Sequence, residues 1–362
     1  MGKLIIDIRM INSSGIGTYI RNIVPKIIMH FSNKHIILLC SKEEYEYCNK
    51  FFNKFKNVEL RIFDANIYSI KEQILYLKLL FEKYDLFWSP HYNIPYFSRG
   101  KLLVTIHDMY HISDPLNLMK LKEKIYARLL FNRIEKRADS IITISQFSNK
   151  EILNTIPKVK KVNVIYNGLS SIWKEYKKSN VQKKEFKYFI YVGNVKPHKN
   201  LGNLYKAIKP LLKEDIKLII VGKREGFINS DTEIISEAAN DKNVIFTGLI
   251  SDEDLMEYVS NAEALIFPSI YEGFGLPPIE AMAVGCPTIV SEIASIPEVC
   301  GDASIYFQPF NIDDIHAKIV MLIENPELKN NLVKCGYKQI DKYDWKNTAY
   351  QTIQVFEEVL SK

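Results

Sequence analysis

Short runs of aliphatic and β-branched residues recur along the whole of this 362-residue chain, each followed by a segment of helix length, and nothing else in it restricts the fold as strongly. The first series comprises Lys3–Ile8, His35–Cys40, Val58–Phe63, Leu86–Ser89, Leu102–Asp108, Ser140–Ile144 and Val162–Tyr166. A polar, lysine-rich stretch from Ser170 to Lys187 interrupts the alternation. It resumes with Tyr188–Val192, Lys217–Val221, Val244–Thr247, Ala264–Pro268, Thr288–Ser291 and Ser304–Phe307. Runs that are apolar throughout belong to strands buried on both faces, and helix-length spacers supply the crossovers that parallel strands require. The expected fold is therefore α/β, with two Rossmann-like, doubly wound parallel-sheet domains at 1–170 and 171–340. The remaining segment, 341–362, is expected to be helical. Ligands of such sheets bind beyond the carboxyl ends of the strands, so two facing sheets would enclose an interdomain cleft and the chemistry should lie in the loops after the strands.

Composition removes several classes of function. Hydrophobic residues make up 47% and charged residues 25%, which is globular usage and excludes a disordered chain. The five cysteines, Cys40, Cys48, Cys286, Cys300 and Cys335, never form a CxxC pair, which argues against a disulfide framework or a zinc site and for a cytoplasmic setting. No apolar run is long enough to span a bilayer, and the chain begins like a strand where a signal peptide would stand. Residues 1–168 carry 26 Lys and Arg against 15 Asp and Glu, whereas the remainder carries 22 against 27. A basic first half suits an anionic partner, and a solvated lysine-rich surface explains it equally. Zinc-finger spacing, a helix-turn-helix pattern and an aromatic RNA-binding consensus are all missing, so no nucleic acid is expected.

The richest loop follows Ala264–Pro268 and runs through Glu272, Gly273, Phe274, Gly275 and Leu276 to Glu280. Gly273 and Gly275 let the backbone turn tightly, Pro277 or Pro278 suits the first position of a helix, and Gly285 with Pro287 stops that helix. A helix amino terminus aimed out of the sheet offers amides and a positive dipole end to a phosphate. Glu272 in the loop and Glu280, expected in the first turn, bring two carboxylates within reach of one ligand. A carboxylate only accepts hydrogen bonds, which suits sugar or ribose hydroxyls. A single glutamate here would be read as complementing the helix dipole; the pair around Gly-Phe-Gly favours function.

A second loop follows Tyr188–Val192 and contains Gly193, Asn194, Lys196, His198 and Lys199. Lys196 and Lys199, at a glycine turn before a helix, could stabilise a developing negative charge. The turn Ile11–Gly17 carries Gly15 and Gly17, but Ile20 stands where a dinucleotide fingerprint has its third glycine. By its residues alone this turn reads as a plain strand-to-helix connection. His107 and Asp108 leave the sheet at the end of Leu102–Ile106, where a histidine can bond a sugar hydroxyl or accept a proton. His91 and His111 are weaker candidates. After the Val244–Thr247 strand, Ser251 with Asp254 three residues later reads as a helix cap.

The run from Glu272 to Glu280 resembles the two-glutamate signature of the retaining glycosyltransferases of family 4, which have the GT-B fold of two facing Rossmann-like domains, and the resemblance covers nearly the whole chain. It implies transfer of a hexose from a nucleotide sugar to a glycan or lipid-linked saccharide, with no metal or other cofactor. The amino-terminal domain would hold the acceptor, with His91 and Asp108 on that side, and His107 would sit beside the transferred sugar. The second domain would hold the donor: Glu280 the ribose, Glu272 the sugar and phosphates, the Gly273 and Gly275 amides the diphosphate. Lys199 matches the family's characteristic lysine, which would stabilise the leaving diphosphate, whereas Asn194 and His198 stand where arginine is frequent, leaving Lys196, His198 or Arg224 as candidates for the second cation. Gly15 and Gly17 would lie over the donor phosphates, Ile250 beside the base, and domain closure would exclude water. The Asp7–Tyr19 stretch and the Pro197–Leu201 loop resemble bacterial mannosyltransferases of surface polysaccharide and lipopolysaccharide synthesis, which makes GDP-mannose the expected donor. A sugar-nucleotide epimerase or phosphorylase on the same fold, and a non-catalytic Rossmann protein, are the alternatives.

Leu118–Arg137 places apolar residues at 118, 121, 125 and 129 among seven basic residues and two acids. Such a helix is expected to pack its stripe on a sheet and leave its charges in water. The sharper alternative is peripheral contact with an anionic membrane surface.

Overall fold

The structure, a computed structural model, describes residues 2–177, 185–222 and 232–362. Seven strands form the first sheet: β1 (Lys3–Asp7), β2 (His35–Cys40), β3 (Val58–Ile62), β4 (Leu86–Ser89), β5 (Lys101–Ile106), β6 (Ser140–Thr143) and β7 (Val162–Val164). Their order is β3-β2-β1-β4-β5-β6-β7, and every pairing is parallel. Six strands form the second: β8 (Lys187–Val192), β9 (Ile216–Val221), β10 (Val244–Gly248), β11 (Ala264–Phe267), β12 (Thr288–Ser291) and β13 (Ser304–Phe307). They run β10-β9-β8-β11-β12-β13, again parallel throughout. The α/β, doubly wound reading holds in both halves. In each sheet the order reverses once, between β1 and β4 and between β8 and β11, which puts the ligand-binding switch points at the loops after those strands.

The chain divides into two units, Met1–Gly168 with Trp345–Lys362, and Leu169–Asp344. The returning helix Trp345–Ser361 buries Ala349, Val355 and Phe356 in one cluster with Leu4, Ile6, Tyr19 and Trp88. Val355 and Phe356, removed from water, contribute about 1.5–3 kcal/mol each, which fixes the last segment to the first unit. The other face of that sheet is covered through a second cluster that joins Ile5, Ile37 and Phe87 to Leu130, Phe131 and Ile134. In the second unit Phe189, Leu218 and Ile266 pack with Leu204, Ile315 and Ile319.

The helix Leu121–Arg137 corrects one expectation. Its sheet-facing residues are Ala127, Leu130, Phe131 and Ile134, whereas Leu118, Leu121, Ile125 and Leu129 are 41, 74, 52 and 52% exposed. The sequence contains two apolar stripes at helical spacing, and the Ala127–Ile134 stripe has the side chains that fit the cluster beneath.

Candidate active site

β8 and β11 are hydrogen-bonded neighbours at the switch point of the second sheet, so the loops leaving their carboxyl ends must lie side by side. After β8 the backbone turns at Gly193, whose φ of +152° and amide bond to the Val221 carbonyl seat it against β9. Gly222 approaches so closely that a Cβ there would stand 2.2 Å from the Gly193 oxygen. Pro197–Lys199 makes a single 3₁₀ turn, ended by Asn200 in the left-handed region at φ +58°. The buried Asn200 amide donates to the Pro309 carbonyl at 2.7 Å, which fixes the residue beside Lys199. The Ile270 amide donates to the His198 carbonyl at 2.8 Å and ties the second loop to the first.

That second loop sets Glu272 against Lys199. The Lys199 ammonium donates to Glu272 Oε1, and it lies 5.7 Å from the centre of the Phe267 ring. Both side chains are largely enclosed, at 19 and 14% exposure, so the pair is only partly screened by water. Ser295 donates to the Glu272 carbonyl at 2.9 Å and holds the loop from behind.

Gly275, at φ +94°, caps the helix Leu276–Ala283. Leu276 is its first residue, so Pro277 and Pro278 take the second and third positions and remove two of the amides that a helix start normally offers. The amide edge is thereby shortened to the buried Gly273 and Gly275 and the half-buried Leu276, none of which bonds to the backbone among the described residues. The side chain of Phe274 is no part of that edge: it is buried, edge-on to Tyr343 at 5.4 Å.

Glu280 stands in the second turn of this helix, not the first, and so is no partner for the helix dipole. Burial pushes its carboxyl up to about 7, and the negative charge of Asp252 adds to the effect. Among the described residues it has neither a hydrogen bond nor an ion pair. Asp252 opens the helix Asp252–Asn261, which Ser251 caps by accepting from the Asp254 amide at 3.1 Å. The partly buried Ile250 precedes that cap, so this turn and Glu280 share a neighbourhood.

His198 does not supply a second cation. Burial drives its ring down to about 3, and the charges of Lys199 and Lys196 act in the same direction, so it is neutral at physiological pH. Lys196 is exposed, Asn194 accepts from the Tyr191 hydroxyl through its carbonyl at 3.1 Å, and Arg224 lies outside the described residues.

In the first unit, the helix Ser14–His30 begins before both glycines. Gly15 is exposed with open space where a Cβ would go, while a Cβ on Gly17 would meet the Ile11 oxygen at 2.4 Å. Gly17 is thus required by packing. His107 is buried just past β5, its Nε2 donating to the Pro90 carbonyl at 2.9 Å, with the Tyr19 ring edge-on at 5.0 Å. That bond leaves Nδ1 as the acceptor, and burial lowers the ring's pKa. Ser148 donates to the His107 carbonyl at 3.0 Å. Asp108 accepts from the Tyr110 amide at 3.0 Å, and His91 meets the Tyr68 hydroxyl at 3.2 Å.

Sequence reasoning missed Asp252 as the charge beside Glu280, and Asn200 as the anchor beside Lys199. No local signal marks the first. The second is signalled by an asparagine directly before a helix, a position that favours it.

The description "Glycosyl transferases group 1" matches residues 173–339 and "Glycosyltransferase Family 4" matches 14–171. The chain is 29% identical over 323 residues to the O-antigen chain mannosyltransferase RfbU of Salmonella typhimurium, covering 86% of this chain and 87% of that one. It is 26% identical over 283 residues to the O-antigen chain mannosyltransferase B of Escherichia coli, with 75 and 74% covered. Its fold is shared with Anabaena HepE, solved with UDP and glucose, at a TM-score of 0.78, 15% identity and coverage of 99 and 100%.

Proposed function

The chain belongs to the glycosyltransferases, with a family 4 amino-terminal region and a group 1 carboxyl-terminal region, and we propose that it is a retaining, metal-independent hexosyltransferase using GDP-mannose. The observation that carries this reading is the Lys199–Glu272 pair at the β8/β11 switch point, in a loop that carries a short amide edge and leads into the helix of Glu280, a carboxyl with no hydrogen bond or ion pair among the described residues. In this reading the second unit holds the donor. Diphosphate oxygens accept from the Gly273, Gly275 and Leu276 amides and from Lys199, which exchanges Glu272 for phosphate. Charge grows on the leaving diphosphate as the glycosidic bond breaks, and a fixed ammonium in a partly water-excluded site stabilises that charge more than bulk water would. Glu272, released from the lysine, accepts from sugar hydroxyls. Glu280 accepts from the ribose, which stabilises its ionised form, and the turn at Ile250 borders the base.

The first unit would hold the acceptor near Asp108 and His91, with His107 Nδ1 free to accept from a sugar hydroxyl. The relatives from Salmonella and Escherichia coli carry O-antigen mannosyltransferase names, which supports a glycan or lipid-linked acceptor and work at the cytoplasmic side of a membrane. Retention without an obvious carboxylate nucleophile in the sequence fits front-face substitution within one ion pair, as the family resemblance implies.

Thermal unfolding with GDP, UDP, ADP and dTDP tests the donor. A ligand at a hundred times its dissociation constant adds about 2.7 kcal/mol, so GDP should raise the midpoint most. Stabilisation by none of the four would overturn the reading, and a preference for another nucleotide would overturn GDP-mannose.

A further inference from the structure

The helices Ile70–Leu77 and Leu121–Arg137 leave an apolar face uncovered. Ile70, Ile74 and Leu77 are 79, 58 and 40% exposed, and Phe81, one turn further, is 89% exposed. On the second helix the exposed stripe is Leu121, Ile125 and Leu129, with the exposed Leu118 in the segment just before it. Both helices bury their inner sides, through Tyr76, Leu130 and Ile134, in the same cluster over the same sheet face, so their outer stripes look outward together. They are adjacent, because Tyr126 donates to Glu72 Oε2 at 3.1 Å and Gln73 donates to the Tyr126 hydroxyl at 3.3 Å. Exposed apolar side chains grouped on adjacent helices, rimmed by polar residues, mark an interaction surface.

Charge identifies what covers it. Lys78, Lys120, Lys122, Arg128 and Lys136 are exposed and make no ion pair among the described residues. The neighbouring acids are engaged on backbone: Glu123 accepts from the Lys120 amide at 3.1 Å, and Glu135 from the Lys158 amide at 2.8 Å. Apolar side chains surrounded by unpaired cations match a surface with acyl chains beneath anionic headgroups. A second copy of this chain would set like charges against each other. Among the described residues no helix is long and apolar enough to cross a membrane, so the contact lies along the surface.

We propose that this face docks the protein on an anionic lipid surface, with the exposed residues of both helices among the acyl chains and the unpaired lysines and Arg128 on the headgroups. The proposal deepens the reading of a lipid-linked acceptor and rests on it for its purpose, while its test needs neither donor nor acceptor.

The full chain is sedimented with vesicles of phosphatidylcholine alone and of phosphatidylcholine with about one third phosphatidylglycerol. Binding to the anionic vesicles should be at least about tenfold stronger and should weaken with salt. Leu121→Ser, Ile125→Ser and Leu129→Ser together should lower it at least about tenfold, and neutralising Lys120, Lys122 and Arg128 to Gln about fivefold per charge. Equal binding to both vesicles, no binding, or an apolar variant that binds like the native chain overturns the proposal. A dimer that the apolar variant abolishes assigns the face to a second copy instead. Stabilisation by GDP without vesicles is read on every variant: its loss throughout would sink the donor reading and leave the vesicle result standing.

Discussion

Glu272 accepts an ion-paired hydrogen bond from Lys199, a residue 73 positions earlier in the chain, and the two side chains meet because β8 and β11 are neighbours at the point where strand order reverses. The pair holds a cation and an acceptor ready in a loop cluster that would otherwise carry an unbalanced charge.

That arrangement makes opposite predictions for its two members. Lys199→Met should weaken GDP binding roughly tenfold to hundredfold, the usual worth of a hydrogen bond to a charged group. Glu272→Gln frees the ammonium, so GDP binding should hold or tighten while sugar transfer falls. Calorimetric titration with GDP decides between this and a merely bracing pair, for which both variants would lose affinity alike.

Glu280 ties stability to pH with a definite sign. Its carboxyl ionises near 4.5 in the unfolded chain and near 7 in the folded one, so the folded state holds the proton longer. Stability from this group is therefore fully present below about pH 4.5, falls as pH rises to about 7 and stays low above. Glu280→Gln should be more stable than the native protein at pH 8, by up to about 3 kcal/mol, and no different at pH 4. Unfolding midpoints at the two pH values check this; an equal gain at both would leave burial of the ion without effect.

The same carboxyl should release a proton when donor binds near neutral pH, since ribose hydroxyls favour the ionised form. Binding heats measured in buffers of different ionisation enthalpy should differ for the native chain and coincide for Glu280→Gln.

The first unit's glycines separate packing from ligand contact. Gly17→Ala would drive a Cβ into the Ile11 oxygen and should cost about 2–4 kcal/mol, whereas Gly15→Ala fills open space and should stabilise the helix by about 0.5–1 kcal/mol. In the second unit Gly275→Ala meets only ordinary contact with Phe267 but holds a positive φ, for a cost of about 1–2 kcal/mol. Denaturant midpoints rank all three.

His107 should be neutral at pH 6.5, because burial disfavours the imidazolium, and its stability contribution should be lost as pH falls below that value. The ring shift followed by NMR from pH 5 to 8 tests this; titration at or above 6.5 contradicts it.

The thirteen strands of the described residues and their two doubly wound sheets could be read from apolar runs alone, because the central strands are buried on both faces and need no partner to identify them. The loops could be read too: Gly275 before a double proline and Lys199 before Asn200 announce their turns locally. What the chain could not disclose depends on residues brought from afar. Leu118, Leu121, Ile125 and Leu129 read as a core stripe, and only the cluster beneath the helix selected Ala127, Leu130, Phe131 and Ile134 instead. His198 stood as one of three candidate second cations until its enclosure beside Lys199 and Lys196 removed the charge. Glu280 read as a helix-start acid until burial and Asp252 set its proton. Sequence periodicity specifies which residues suit a strand or a helix; which of two suitable faces is buried, and whether a titratable group is charged there, follows from desolvation and from neighbours that the folded chain alone supplies.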